Sequence, residues 1–566
     1  METTSQSARE YESGSGARAS RREWIGLGVI ALPCMIYSMD LTVLFLAVPS
    51  LTADLNPSST QLLWISDIYG FMVAGALIPM GTLGDRIGRR KLLLLGAALF
   101  AAASVLAAFA PTAETLIATR ALLGLAGATV APSTLSLIRN MFPNPEQRTF
   151  AIGMWVTAYS VGAVVAPLLG GLLLEFFWWG SVFLLAVPVM LLLVVVGPKL
   201  LPEYKDPNPG PVDIISAAMS LTAVLAVIYG LKRVAVEGVT AVSLASVLAG
   251  VAVGVLFVRR QHRLEHPFLD LRLFRVPAFS AALGTYMASV FILFGVSLLI
   301  AQYLQLVLGL SPMRAGAWTL PSAAGFILGS MTAPALVRRV KPAYIMGGAL
   351  LISAVGFVLL TQLSATSGLY HVVIGTVIMS IAIAPVVTLA TDLVVGAAPP
   401  DKGGAASAIS ETGAEVRGAG NIAGVGANAT AVYRAYMTDA GPTTGTSEAL
   451  DAARQTLGGA IMAAREIGGS GGDALLASAR TAYVRAVAIT TTICAVLAAI
   501  TGIVSATVLR GERARSGHEP AGVCRRPPQA RRAHDLSPGA CVAHGSNRPG
   551  DSTYRCACVM PISEVK

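Results

Sequence analysis

The chain has 566 residues, of which 54% are hydrophobic and only 13% charged, with a mean hydropathy of +0.67. A soluble protein of this length needs far more charge to cover its surface, so most of the chain must face lipid or other helices. The net charge of +10 does not point to nucleic acid, because the Lys and Arg sit in short clusters between apolar runs, the pattern of topology signals.

Residues 1–23 are polar, rich in Ser and Gly, and close on Arg18, Arg21 and Arg22, which predicts a disordered cytoplasmic leader. Trp24 to Val48 is too long for a cleavable signal, contains Asp40 and has no small-residue cleavage site after it. Apolar runs near the length of about 20 residues that a membrane helix needs follow at 24–49, 62–83, 91–110, 114–140, 150–174 and 178–198. A proline-rich link leads to 212–231 and 239–258, and a basic linker leads to 277–307, 313–337, 342–362, 370–396, 404–436 and 481–509. The expectation is an all-α membrane protein with fourteen transmembrane spans. It divides into a six-helix bundle at 24–198, linkers and an inserted pair (spans 7 and 8) at 199–275, and a second six-helix bundle at 276–509. An outside loop is expected at 438–480, and a disordered basic tail with Cys and Pro at 510–566. About twenty Lys and Arg fall in the leader and the loops that would be cytoplasmic, against about three in the opposite loops, Lys232, Arg233 and Arg314. Positive charge is retained inside, so both termini are expected in the cytoplasm of a bacterial plasma membrane.

The turn Gly81-Thr-Leu-Gly-Asp-Arg-Ile-Gly-Arg-Arg-Lys91 joins spans 2 and 3. Gly81, Gly84 and Gly88 allow close backbone approach, while Arg86, Arg89, Arg90 and Lys91 mark the cytoplasmic face. Asp85 and Arg89 read either as an ion-pair latch remade as the bundles rock or as part of a topology anchor. Gly75…Arg89-Arg90 returns as Gly325…Arg338-Arg339 about 250 residues on, a parallel repeat that suits a carrier with its site between two halves. Arg120 in span 4 costs at least about 2.5–3.5 kcal/mol in the bilayer unless it pairs. Asp40 in span 1 and Asp67 in span 2 stand at similar depth as partners, for structure or for proton coupling. In span 5, Gly162, Pro167, Gly170 and Gly171 combine small residues for close packing with a proline interruption. Glu411 and Glu415 in span 13 are four apart and share a helix face. Like charges there oppose one another, so one is expected to take a proton readily, and an anionic surface in an apolar cavity attracts lipophilic cations. Trp64, Tyr69, Trp155 and Tyr159 add aromatic faces for cation–π contact; simple packing is the plainer reading.

These pieces in order resemble the fourteen-helix drug:proton antiporters of the major facilitator superfamily, the quaternary-ammonium and multidrug exporters. Met39-Asp-Leu-Thr-Val43 with Ala47-Val-Pro49, Trp64-Ile-Ser-Asp-Ile-Tyr69 and the Gly81–Lys91 turn carry the likeness. So do Arg120 with Gly124 and Gly127, the Gly162–Gly171 motif (Ala166 replacing a usual Gly), Asp392-Leu-Val-Val-Gly and the Glu411/Glu415 pair. The resemblance implies proton-coupled export of hydrophobic, usually cationic drugs, dyes or antiseptics, driven by the proton gradient without a cofactor, in a chain acting as a monomer. Val416-Arg-Gly-Ala-Gly-Asn421 and the 511–566 tail depart from the pattern, and a shifted reading frame is one origin for both. Export of one antibiotic or metabolite is the alternative. A nutrient symporter is disfavoured by the span 5 motif, a non-transporting sensor by the intramembrane charges, and an enzyme by the lack of any nucleophile–base or metal constellation.

Overall fold

The computed structural model describes residues 18–205, 213–237, 239–264, 267, 271, 273–365, 369–397, 407–413, 425–440 and 447–511. The expected leader up to residue 17, Glu415, the stretch Val416–Asn421 and the tail from 512 lie outside them. Every element among the described residues is helical. In chain order these are α1 (Arg21–Leu55), α2 (Ser59–Ile87), α3 (Arg89–Ala108), α4 (Ala113–Gly127), α5 (Val130–Met141), α6 (Pro145–Phe176), α7 (Ser181–Leu184) and α8 (Ala186–Leu200). The inserted pair is α9 (Ile214–Glu237) and α10 (Ala241–Gln261). The second half holds α11 (Pro277–Gln302), α12 (Pro312–Val337), α13 (Pro342–Leu360), α14 (Leu369–Ala397), a helical stretch at 407–413 and α15 (Ala427–Ala440). It ends with α16 (Ser447–Gln455), α17 (Leu457–Ile467) and α18 (Gly469–Val508).

Twelve helical segments among the described residues are long and apolar enough to cross a membrane. Beyond these stand the 35-residue α1 and the expected span 404–436, described only at 407–413 and 425–440, so the count of fourteen is not confirmed. Helix starts follow local chemistry. Ser20 and Glu23 cap α1 reciprocally, Ser58 and Gln61 do the same for α2, and Asn144 with Pro145 opens α6. Pro79, Pro321 and Pro385 lie inside helices, which membrane bundles tolerate because neighbours satisfy the freed carbonyls.

In the first bundle α1 runs along α6, α2 along α4, and α3 against α4 and α8; in the second, α14 lies against α12, α13 and α11, and α18 against α13 and α11. The two halves meet where α6 packs on α12 and where α14 meets α5 and α6. The α9–α10 hairpin rests on α2, where Gly75 leaves room for Leu221 and Leu225. Two expectations change. The turn at 81–91 is helix up to Ile87, and Gly88 alone breaks the chain at φ +112°, ψ 136°, a conformation that favours glycine. The expected outside loop 438–480 carries α16 and α17, and α18 begins at Gly469 rather than at 481, its first turns covered by Ala464 against Gly472.

Candidate functional site

The first site sits inside the amino-terminal bundle. Arg120 on α4 is 1% exposed and Asp40 on α1 is 7% exposed; Arg120 Nη1 stands 3.5 Å from Asp40 Oδ2. That is longer than a direct charged hydrogen bond, and Asp40 Oδ2 accepts no hydrogen bond. Arg120 Nε donates to the Ile65 carbonyl at 2.6 Å, and its guanidinium lies over the rings of Tyr69 at 5.4 Å and Phe183 at 5.8 Å. The cation is therefore held by a carbonyl and two ring faces as well as by the acid. Asp40 supplies the paired carboxylate, while Asp67 stands half-buried two residues beyond Ile65 on α2. Gly124 and Gly127 let α2 close on α4: a Cβ at 124 would lie 2.5 Å from the Tyr69 carbonyl, and one at 127 would lie 3.1 Å from the Tyr69 hydroxyl.

An aromatic ladder leads from this pair toward the seam between bundles. Tyr69 is 6.2 Å from Tyr37, Tyr37 is 5.4 Å from Tyr159, and Tyr159 is 6.0 Å from Trp155, centroid to centroid. Trp155 Nε1 donates to Thr134 Oγ1 at 3.0 Å, and the Cys34 thiol reaches the same oxygen at 3.7 Å. Tyr69, Trp155 and Tyr159 thus join as expected. Trp64 does not. It stacks on Tyr229 of α9 and meets Phe71 edge-on, because residues seven apart share a helix face whereas Tyr69 points about 140° away. Tyr37, Thr134 and Cys34 are additional members that lie outside the motifs read from the sequence.

Glu411 lies on the carboxy-terminal side of the seam, 5% exposed, and accepts the Tyr286 hydroxyl of α11 at 3.1 Å.

The turn around Gly88 carries a tight ion pair between Arg89, fully buried, and Asp85. Arg90 reaches away from it, donating to the carbonyls of Pro198 at 3.2 Å and Leu201 at 3.0 Å. In the span 5 motif, a Cβ on Gly162 would stand 2.3 Å from the Met35 carbonyl, so α1 and α6 touch there through backbone, while Gly171 has open space around it. Gly170 is buried, and Pro167 falls within the helical backbone of α6.

The ties that join the bundles gather at the end carrying Gly88. Arg148 Nε and Thr149 Oγ1 of α6 both donate to Asp392 of α14 at 2.7 Å, Arg139 Nη1 to the Val395 carbonyl at 2.6 Å, and Ser330 Oγ to the Gly153 carbonyl at 3.0 Å. Arg338 and Glu146 pair at 3.0 Å, more than half exposed. A half-open cavity of about 380 Å³ lies beside them, between Arg18, Trp24, Glu146, Phe150 and Arg338; none of the expected site residues lines it. No His, Cys, Asp and Glu group that could hold a metal occurs among the described residues.

The Major Facilitator Superfamily model matches residues 30–419. The chain is 41% identical over 493 residues to the multidrug efflux pump LfrA of Mycolicibacterium smegmatis, covering 86% of this chain and 97% of that one. It is 34% identical to the methyl viologen resistance protein SmvA of Salmonella typhimurium, covering 82% and 93%. In structure it resembles the human organic anion transporter MFSD10, with a TM-score of 0.55 at 16% identity over 86% of this chain and all of that one, a likeness of fold alone. With apolar helices, parallel halves and these relatives in agreement, the chain belongs to the Major Facilitator Superfamily, among its drug-efflux members, as a multi-pass membrane transporter.

Proposed function

We propose that the protein is a multidrug efflux antiporter that exports hydrophobic, mainly cationic molecules across the cell membrane in exchange for protons. The observation that carries this reading is the placement of two buried acids in opposite bundles, Asp40 beside Arg120 with a ladder of aromatic rings in the first bundle, and Glu411 beside Tyr286 in the second. Glu411 offers a negative charge in an apolar surround, and the rings of Trp155 and Tyr159 offer faces to a flat cation. Asp40 is the acid suited to exchange a proton: it is buried, its partner stands 3.5 Å away, and one oxygen accepts no hydrogen bond. When Asp40 is neutral, Arg120 keeps the Ile65 carbonyl and the Tyr69 and Phe183 rings, so the cation does not lose all its support. The names of the two relatives, a multidrug efflux pump and a protein of resistance to methyl viologen, an aromatic dication, favour the same substrate class.

The end with Gly88 is cytoplasmic in this reading, as the retained positive charge requires, and both termini lie there too. The Arg148–Asp392, Arg139–Val395 and Arg338–Glu146 ties then close the cytoplasmic side. Substrate loading needs those ties broken. Proton and substrate are linked reciprocally: a proton that weakens cation binding is itself bound less well when the cation is present. The test is ethidium efflux from a pump-deficient bacterial host, with and without a protonophore. Efflux should collapse with the protonophore and in Asp40→Asn; a variant that still pumps at the wild-type rate against the gradient would remove Asp40 from coupling.

A further inference from the structure

The break at Gly88 has a partner more than a hundred residues away. A helix N-terminus leaves N–H groups without intrahelical acceptors, and Gly88 has no side chain with which to cap α3. Two of those groups are satisfied by the segment that leaves α8. Glu203 Oε1 accepts the Arg90 amide at 3.1 Å, and the Tyr204 carbonyl accepts the Arg89 amide at 2.9 Å. The same carboxylate stands 3.5 Å from Arg90 Nε, while Arg90 Nη1 binds the Pro198 and Leu201 carbonyls at the end of α8. Arg89 and Arg90 and the chain from Pro198 to Tyr204 thus clasp each other at five points, four of them through Arg90. Glu203 also fills the space in front of Gly88, where a Cβ would lie 2.4 Å from Oε1. The glycine is therefore required twice, by its φ and by the carboxylate above it.

We infer that Glu203 is a positioning residue of the gate. It fastens the α2–α3 turn to the end of α8, so that Asp85, Arg89 and Arg90 move as part of one rigid bundle when the two bundles rock. All five contacts are internal to the first bundle, unlike the Arg148–Asp392 tie, so they persist through the cycle while the inter-bundle ties break. This rests on the rocking-carrier reading above.

The test compares wild type, Glu203→Ala and Glu203→Gln in the full-length protein reconstituted into liposomes. Hydrogen exchange measured by mass spectrometry on peptides covering 84–94 reads the strap itself; ethidium transport against concentration reads the gate. In Glu203→Ala, exchange at the Arg89 and Arg90 amides should quicken roughly tenfold, the scale of a lost charge-assisted hydrogen bond. The maximal transport rate should fall by a similar factor with KM unchanged. Glu203→Gln keeps an acceptor for the Arg90 amide and should fall between. Unchanged exchange in Glu203→Ala would overturn the strap. Faster exchange with an undiminished maximal rate would leave a plain helix cap and overturn the positioning role. Failure of the wild type to transport at all would overturn the carrier reading, and the gate role with it, while the exchange data still report the contacts.

Discussion

Replacing Asp392 by Asn tests whether the tie between α6 and α14 holds shut the end of the bundles that carries Gly88. The carboxylate accepts from Arg148 Nε and from Thr149 Oγ1, each at 2.7 Å. An Asn keeps one acceptor, removes the charge and turns an N–H2 toward one of the donors. Hydrogen bonds to charged groups contribute about 1.5–3 kcal/mol, and the side chains of Arg148 and Asp392 remain 20% and 13% exposed, so solvent screens part of this. A loss of roughly 1–2 kcal/mol from the closed arrangement follows, and because 1.4 kcal/mol is about tenfold, the closed-to-open ratio should drop about five- to thirtyfold. The assay is pulsed electron spin resonance between nitroxides at Lys91 and Lys341, both exposed and one in each bundle, in a chain whose native cysteines have been replaced. Asp392→Asn should add a population at longer distance. Arg148→Gln should do the same to a smaller extent, and the double variant should go no further than Asp392→Asn, since the Arg148 bond is one of the two that Asp392 accepts. Glu146→Gln should shift the ratio far less, because the Glu146–Arg338 pair is more than half exposed. Identical distance distributions in wild type and Asp392→Asn would refute the reasoning.

Glu411→Gln should reduce the apparent affinity for cationic dyes more than for neutral substrates, whereas Tyr286→Phe, which removes one hydrogen bond, should cost only about two- to tenfold; efflux over a panel of substrates of different charge decides this. Gly162→Ala forces a methyl to within 2.3 Å of the Met35 carbonyl and should destabilise by about 1–3 kcal/mol, while Gly171→Ala, with nothing within reach, should leave the thermal midpoint in detergent unchanged or slightly higher. Outside the membrane spans, burial opposes the charge on Asp213, but the Ser216 hydroxyl and amide and the Arg260 guanidinium outweigh it and hold the carboxyl at about 2, below its ordinary 3.8. A depressed folded value means the contribution is full above pH 3.8 and is lost as pH falls toward about 2. Asp213→Asn should therefore melt earlier than wild type at pH 7, with the gap closing in acid.

Charge inside an apolar span was the most legible signal, because such a group must be paired or face a cavity; Arg120 and Asp40 were found that way, and the structure joins them. Charge at the end of a span is ambiguous, since a topology anchor and a bond across the seam look the same in one dimension. Arg148, Arg338 and Asp392 are therefore readable as residues but not as partners. Glu203 lies in a polar link where a carboxylate carries no signal, and its role depends on a fold that brings it back over Gly88. Trp64 shows a different limit. Periodicity tells which residues share a face of α2, but not that the inserted pair covers that face. The segment after residue 438 reads in one dimension only as a loop, because Gly, Ser and charge are common there, yet helices there bury Ala460, Ala464, Leu475 and Ala479 once α17 and α18 lie side by side.

In the proposed antiport cycle, the positions of the two acids bear on how proton and substrate are coupled. A single carboxylate shared by proton and cation would give direct competition, with exchange demanded by occupancy alone. Here Asp40 and Arg120 belong wholly to the first bundle and Glu411 to the second, so an influence of one on the other passes through the equilibrium between states. The ring ladder, with centroids 5.4–6.2 Å apart, stays within the first bundle. The lever is the equilibrium: each ligand shifts it by its differential affinity for the two states, and the ties at Asp392 set where it starts. Weakening those ties should therefore change how much gradient is needed for a given efflux rate, even though Asp392 touches neither proton site nor substrate. Efflux measured at stepped proton gradients in Asp392→Asn and wild type separates this from direct competition, which predicts the same dependence in both.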